Sequence, residues 1–415
     1  MSVPAAASTP LIGGPEPGAQ AHRAHIGVIT AFVAAGIAFS GLAARLPDVR
    51  ALLALTPSQL GLLLLAVSSA AVISLPTSGW LCGRIGAARA LLAGATLLTI
   101  GLVVAGIGTA VPVTGVVAVG LFLVGLGTGT WDVAMNLQGT EVERLLRRNV
   151  MPRYHAWFSL GAVAAAGLGA LSTWAGVPVV VHFVLTAAAA FMAVVAAARR
   201  FLPTATAAPS DAESAPPGSA SERRSPLAAW LEPRTLLIGV LVLAAAFTEG
   251  SALDWLSVGI VDGYGAAPWV GVLGLAAFVG AMTVGRVLGT SWLDRYGRVP
   301  VLWASFALAG AGALLVVLGP ALGLVAAFGG ALIWGLGTSL GFPVGLSAAA
   351  DDPRHAAARV SVVASIGYLA FLGGPPLLGF LGDHVGVLHA LLGVVAVSIP
   401  ALLVVPASRP LPTPR

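Results

Sequence analysis

One short phrase returns four times along this 415-residue chain, and its spacing limits the architecture before any single residue is interpreted. It runs Gly79-Trp80-Leu81-Cys82-Gly83-Arg84-Ile85-Gly86, then Gly169 to Gly176, then Thr290-Ser291-Trp292-Leu293-Asp294-Arg295-Tyr296-Gly297, then Gly379 to Gly386. The closing glycines stand 90, 121 and 89 residues apart, so only the middle interval is long, and one polar insertion accounts for the excess. A unit of about 90 residues exceeds a soluble helical repeat and fits three membrane-crossing helices with short loops. Four such units make twelve spans.

Composition agrees. With 58% hydrophobic residues, 9% charged residues and a mean hydropathy of +0.95, the chain lies outside the range of soluble globular proteins. Apolar runs long enough to cross about 30 Å of hydrocarbon begin near residues 26, 58, 87, 111, 154, 177, 235, 267, 299, 321, 358 and 386. All 21 basic residues are arginine, which leaves no lysine for Schiff-base chemistry. The single cysteine, Cys82, excludes an intrachain disulfide and reads as a small hydrophobe. A pI near 10.3 in a soluble protein would suggest nucleic acid, but here the arginines sit mainly in alternate loops, so no nucleic-acid partner is expected.

Those loops set the orientation. Arg84 and Arg89, then Arg144, Arg147, Arg148 and Arg153, then the linker arginines, Arg295 and Arg298, and Arg354 and Arg359 fall on one side, against Arg45 and Arg50 on the other. By the positive-inside rule both termini are expected in the cytoplasm of a bacterial inner-membrane protein. Trp80, Trp174, Trp269 and Trp292 suit interfacial anchors near span ends. Residues 1–24 are expected to form a disordered cytosolic tail, 25–197 and 234–406 two six-helix bundles, 198–233 a flexible cytosolic linker too polar to bury a core, and 407–415 a second tail. The halves also echo each other directly: Gly125-Leu126-Gly127-Thr128 returns as Gly335-Leu336-Gly337-Thr338, and Ala38-Phe39-Ser40 as Ala246-Phe247-Thr248. Because three crossings is an odd number, neighbouring quarters enter the membrane from opposite sides, so the expected fold is an all-α membrane protein of four inverted three-helix repeats within two pseudo-symmetric halves.

This nested arrangement resembles that of the major facilitator superfamily, over residues 25 to 405, whose solute site lies between the halves near mid-membrane. The family's signature between its second and third helices is Gly-x-x-x-Asp-Arg-x-Gly followed by basic residues. Here the first copy keeps Gly79, Arg84, Gly86 and Arg89 but has Gly83 at the acid, while Asp294, Arg295, Gly297 and Arg298 keep the acid and replace the first glycine with Thr290. An acid near a helix end and arginines in the loop can latch a closed inner gate. Arg84, Arg89, Asp294, Arg295 and Arg298 are therefore gating candidates, against the plainer reading of a tight turn.

Charged groups inside spans are costly and mark functional candidates. The fourth span closes on Trp131-Asp132-Val133-Ala134-Met135-Asn136-Leu137-Gln138, with Asp132 and Asn136 on one helical face. Asp132 is expected in the inner third of the bilayer, either as a proton carrier or in a buried pair that locks the N-terminal half; Trp131, Asn136 and Gln138 are candidate solute contacts. The seventh span carries Glu249, expected in its outer half as a proton or solute site or as a salt-bridged gate, and Asp254, whose counterpart near Arg45 makes an Arg45/Asp254 outer gate a hypothesis. His155 is an interfacial hydrogen-bonder or a relay. Arg286 either snorkels or faces the cavity. Tyr368 and Trp334 can offer amphipathic rings to a sugar or polyol, or Trp334 can pack in the core. Gly373-Gly374-Pro375-Pro376 is expected to kink its span.

The fourth-span segment, with Glu141, Glu143, Tyr154, His155 and Phe158 to Gly161, resembles a bacterial subgroup that includes a rhizopine-locus membrane protein and, more distantly, fucose/proton symporters, though Leu137 stands where the latter have proline. That resemblance implies Asp132 as the coupling acid. The expected function is secondary transport of a small sugar- or polyol-like solute, proton-coupled, by a monomer; a proton-coupled efflux antiporter and a transport-dead receptor of the same fold are the alternatives. Gly337-Thr338-Ser339-Leu340-Gly341 fits a hydrolase elbow only in a strand-turn-helix context, which an apolar helix does not supply. With no metal motif and no phosphate loop, neither an enzyme nor a cofactor or metal is expected.

Overall fold

The computed structural model describes residues 17–146, 148, 150–202, 226–352 and 355–411. Most of the expected N-terminal tail and linker, Arg147, Arg354 and residues 412–415 lie outside these. The first half comprises α1 (Pro17–Ala43), α2 (Leu46–Leu52), α3 (Pro57–Ile85), α4 (Ala87–Ala110), α5 (Thr114–Leu146), α6 (Met151–Trp174) and α7 (Val179–Ala198). The second comprises α8 (Pro233–Tyr264), α9 (Pro268–Tyr296), α10 (Arg298–Leu318), α11 (Leu324–Thr338), α12 (Gly341–Ala349), α13 (Ala356–Val385), α14 (Val387–Ala390) and α15 (Leu392–Val404). Among the described residues there is no strand, and twelve stretches are helical, long and apolar enough to cross a membrane. Large apolar side chains such as Leu185, Met192 and Leu403 face outward, while alanine and glycine dominate the helix contacts, as expected where lipid surrounds the bundle.

The four recurring glycines have a common backbone role. Gly86, Gly176, Gly297 and Gly386 all take positive φ, from 67° to 87°, and three of them end one helix and start the next with ψ near 150–173°. Only glycine adopts that region without strain, so the chain can reverse between spans in one residue.

The other repeated phrase is a packing device. A side chain at Gly125 would collide with the Val67 carbonyl of α3, and one at Gly335 with the Phe278 carbonyl of α9; Gly127 lies against Gly94 and Leu98 of α4, and Gly337 against Ser305 and Ala309 of α10. Each contact in one half thus recurs about 211 residues later in the other, the same shift as between Gly86 and Gly297. The two halves are one six-helix unit built twice.

Two boundaries differ from expectation. Helix α1 begins at Pro17 rather than residue 25, because Ala21 and Ala24 are buried and the first turns have a packing face. At the other end Val405–Ser408 forms a 3-10 turn whose Ser408 is fully buried, so residues 407 and 408 belong to the bundle. Helix α13 runs continuously through Pro375 and Pro376.

Candidate functional site

The start of α1, the end of α7, the start of α8 and the Val405–Ser408 turn lie at one end of the bundle, called here the terminal end; the opposite end is distal. The halves meet tightly at the distal end. A side-chain carbon at Gly61 of α3 would stand 2.6 Å from the Pro375 carbonyl of α13, and one at Gly379 would stand 2.6 Å from the Pro57 carbonyl. Two polar links reinforce the contact: Arg50 of α2 bonds Asp262 of α8, and Asp383 accepts the Ser58 amide (3.3 Å) at the N-terminus of α3, where a carboxylate is favoured. Toward the terminal end, α5 and α12 pack within their own halves.

The expected Arg45/Asp254 gate does not form. Arg45 is 3% exposed, pairs with Asp48 on the next turn (2.8 Å) and donates to the Val177 carbonyl (2.6 Å). Among the described residues the cross-half ion pair is Arg50/Asp262, related by the same internal repeat but farther toward the rim, where α2 and α8 touch. We predict that Arg50→Asp or Asp262→Arg alone weakens distal closure and that the double exchange restores it, read as labelling of a cysteine introduced near Pro57. The pair is part-exposed, so about 1 kcal/mol, or about a fivefold change in the open population, is the expected size. Unchanged labelling in both single variants would remove the latch role.

Beneath this closure lies a cavity of about 370 Å³ between the halves. Asp132 of α5 and Glu249 and Asp254 of α8 reach it, among Phe39, Trp131, Met135, Phe158, Met282, Tyr368 and Phe371, with Ser40, Ser68 and Thr128 as neutral polar groups. Asp132 and Glu249 each stand about half-way along their helices, which have 33 and 32 residues. Asn136 does not reach the cavity; its side-chain amide donates to the Asp132 backbone carbonyl (2.8 Å) and carboxylate (3.2 Å), fixing that acid's rotamer. Gln138 is buried in the first half, two turns toward the terminal end. Trp334 is fully buried and edge-on to Phe278, 5.7 Å between ring centres, so it packs the second half and is absent from the wall.

Glu249 pairs with Arg286 of α9 at 2.9 Å, and Arg286 itself is not on the cavity wall. Asp254 has no hydrogen-bond or ion-pair partner among the described residues. It also borders a recess between α8 and α13 with Ser251, Trp255 and Gly374. His155 lies off the cavity wall, edge-on to Phe32 at 5.1 Å, while its neighbour Tyr154 bonds His25 (2.7 Å). The cavity serines and phenylalanines carry no charge and escaped the sequence reading, although Phe39-Ser40 sits in one of the repeated phrases.

At the terminal end the expected gate residues are separate in this state. Arg84 and Arg295 lie over the rings of Trp80 and Tyr296, each at 5.3 Å, while Arg89 and Asp294 are exposed. Arg298 instead bonds Asp351 (2.6 Å), which also holds Arg234 (2.8 Å). Beside it Glu232 pairs with Arg359 (2.6 Å), and that bond holds the Glu232 carboxyl below its usual range. Ser339 is buried at the break between α11 and α12, where it donates to the Leu336 carbonyl (2.7 Å).

Two inverted-repeat halves around a central cavity, tightly closed at one end, define a membrane transporter fold. The Major Facilitator Superfamily profile matches residues 28–368, and the chain belongs to that family. An uncharacterized transporter of Sinorhizobium fredii, y4wD, is 32% identical over 360 residues, 86% of this chain and 90% of that protein. The membrane protein MosC of Rhizobium meliloti is 26% identical over 366 residues, covering 88% and 85%. Among solved structures, the E. coli fucose:proton symporter FucP in its N162A form superposes with a TM-score of 0.61 at 16% identity, covering 92% of this chain and 98% of that one. The protein is a multi-pass membrane transporter and not an enzyme.

Proposed function

We propose that the protein carries a small polar solute together with a proton, in symport, by alternating access of the cavity to the two sides of the membrane, with Asp132 as the proton carrier. The observation that carries this reading is the placement of Asp132: mid-span, on the wall between the halves, held by a neutral asparagine and free of any cation partner among the described residues. A carboxyl so placed can take a proton from one side and release it to the other when the halves rock. One proton crossing ~100 mV supplies about 2.3 kcal/mol, enough for roughly fiftyfold accumulation, so a single titrating acid suffices. Similarity in fold to a fucose:proton symporter supports the same chemistry.

With the termini cytoplasmic in a bacterial inner membrane, the distal closure faces outward and the cavity is offered to the cytoplasm. Rocking would bring Arg84, Arg89, Asp294 and Arg295 together as the inner latch. A monomer has every part this cycle needs.

The test is internal pH in liposomes carrying the purified protein, recorded while sugars, polyols, carboxylates and cationic drugs are added in turn. Solute-driven proton entry is expected in the wild type and at least a tenfold loss in Asp132→Asn. Proton exit would establish the antiporter, entry undiminished in Asp132→Asn would move coupling to another acid, and no response to any solute would favour the receptor.

A further inference from the structure

We infer that the solute is a small organic cation: an amine whose ammonium group is met by the unpaired acids and whose body lies among the cavity's aromatic rings. This rests on the transport reading above and adds the charge of the solute to it. The argument is a charge balance. Three carboxylates, Asp132, Glu249 and Asp254, reach the cavity, and one cation, Arg286, pairs with Glu249. The neutral Asn136 amide is the bond Asp132 makes from its side chain, and Asp254 has no partner among the described residues. An isolated carboxylate is costly in apolar surroundings unless it takes a proton or meets a cation. One transported proton satisfies one acid and leaves the other for a positive solute.

The walls fit the same guest. Phe39, Phe158, Tyr368 and Phe371 line the cavity, and an ammonium is attracted to an aromatic face, most strongly when desolvated. Neutral hydrogen-bonding groups are sparse on this wall, whereas a sugar would need a partner for each hydroxyl.

The test uses matched pairs that differ only in the amine: glucamine against sorbitol, and phenylethanolamine against phenylethylene glycol. Binding to the full chain in nanodiscs is read as tryptophan fluorescence, with a thermal melt as a second signal, so it does not depend on proton movement. The amine of at least one pair is expected to bind tenfold or more tighter than its neutral partner. Asp254→Asn should shrink that preference below threefold, and Asp254→Glu, which keeps the charge, should preserve it. Equal affinity within both pairs, tighter binding of the neutral members, or no binding by either amine overturns the inference. Solute-driven proton entry with a neutral preference would sink this inference alone, whereas an amine preference without proton movement would sink only the symport reading.

Discussion

Gly125→Val and Gly335→Val should each prevent accumulation of folded protein, while Gly329→Val, nearly two turns away from Gly335 in the same α11, should not. The contrast follows from what a new side chain meets. At Gly125 and Gly335 the obstacle is a backbone carbonyl of the neighbouring helix, on Val67 and Phe278, which cannot swing aside as a flexible side chain would. At Gly329 there is nothing within 4 Å. Overpacking a core costs about 1–3 kcal/mol when neighbours can relax, and a helix-to-helix backbone contact should exceed that range. Native stabilities of about 5–15 kcal/mol leave room for only a few such losses. Fluorescence-detected size exclusion and the melting temperature in detergent measure the outcome. A Gly125→Val protein that elutes and melts like wild type would show that α3 and α5 are not held at the spacing described here.

The second large effect concerns the half-buried ion pair between Glu249 and Arg286. Arg286→Met should destabilise the protein by about 1–3 kcal/mol, because it leaves the half-buried Glu249 carboxyl without its partner. The double variant Glu249→Gln/Arg286→Met should regain most of that loss, since replacing both partners removes the uncompensated charge. Glu249→Gln alone strands the guanidinium instead and should fall between the two. Melting temperatures of the four proteins form a double-mutant cycle that isolates the pair. Additive losses in the double variant would mean that each residue acts separately, returning Glu249 to the list of proton carriers. In the coupled outcome, Glu249 positions α8 against α9 while Asp132 and Asp254 remain the free acids.

A mid-span acid is easy to see in a sequence; its partner is not. Glu249 and Arg286 are 37 residues apart on different helices, and no periodicity connects them. Asp254 and Arg45 were matched through the internal repeat, and that logic found the correct helices, but the residues in contact are Arg50 and Asp262. A repeat fixes which elements are equivalent to within a turn or two, whereas an ion pair needs a fit of about an ångström. Asn136 stood out as one of two asparagines in the chain and lies at the site, yet it serves Asp132 rather than the cavity, because an i, i+4 amide can reach the previous turn as readily as outward.

Twelve spans, two halves and the inverted quarters were determined by sequence alone, because each follows from a local property: apolar length, the glycine that alone tolerates the reversal, and a repeat interval that counts helices. The family followed from the same phrases. Only the tertiary structure decided which acids are paired, that Trp334 packs away from the cavity, and which end of the bundle is closed. Those are properties of surfaces brought together from helices distant in sequence, and rotating one helix by a single residue, about 100°, would exchange the wall of the cavity for the lipid face without altering any pattern in the chain.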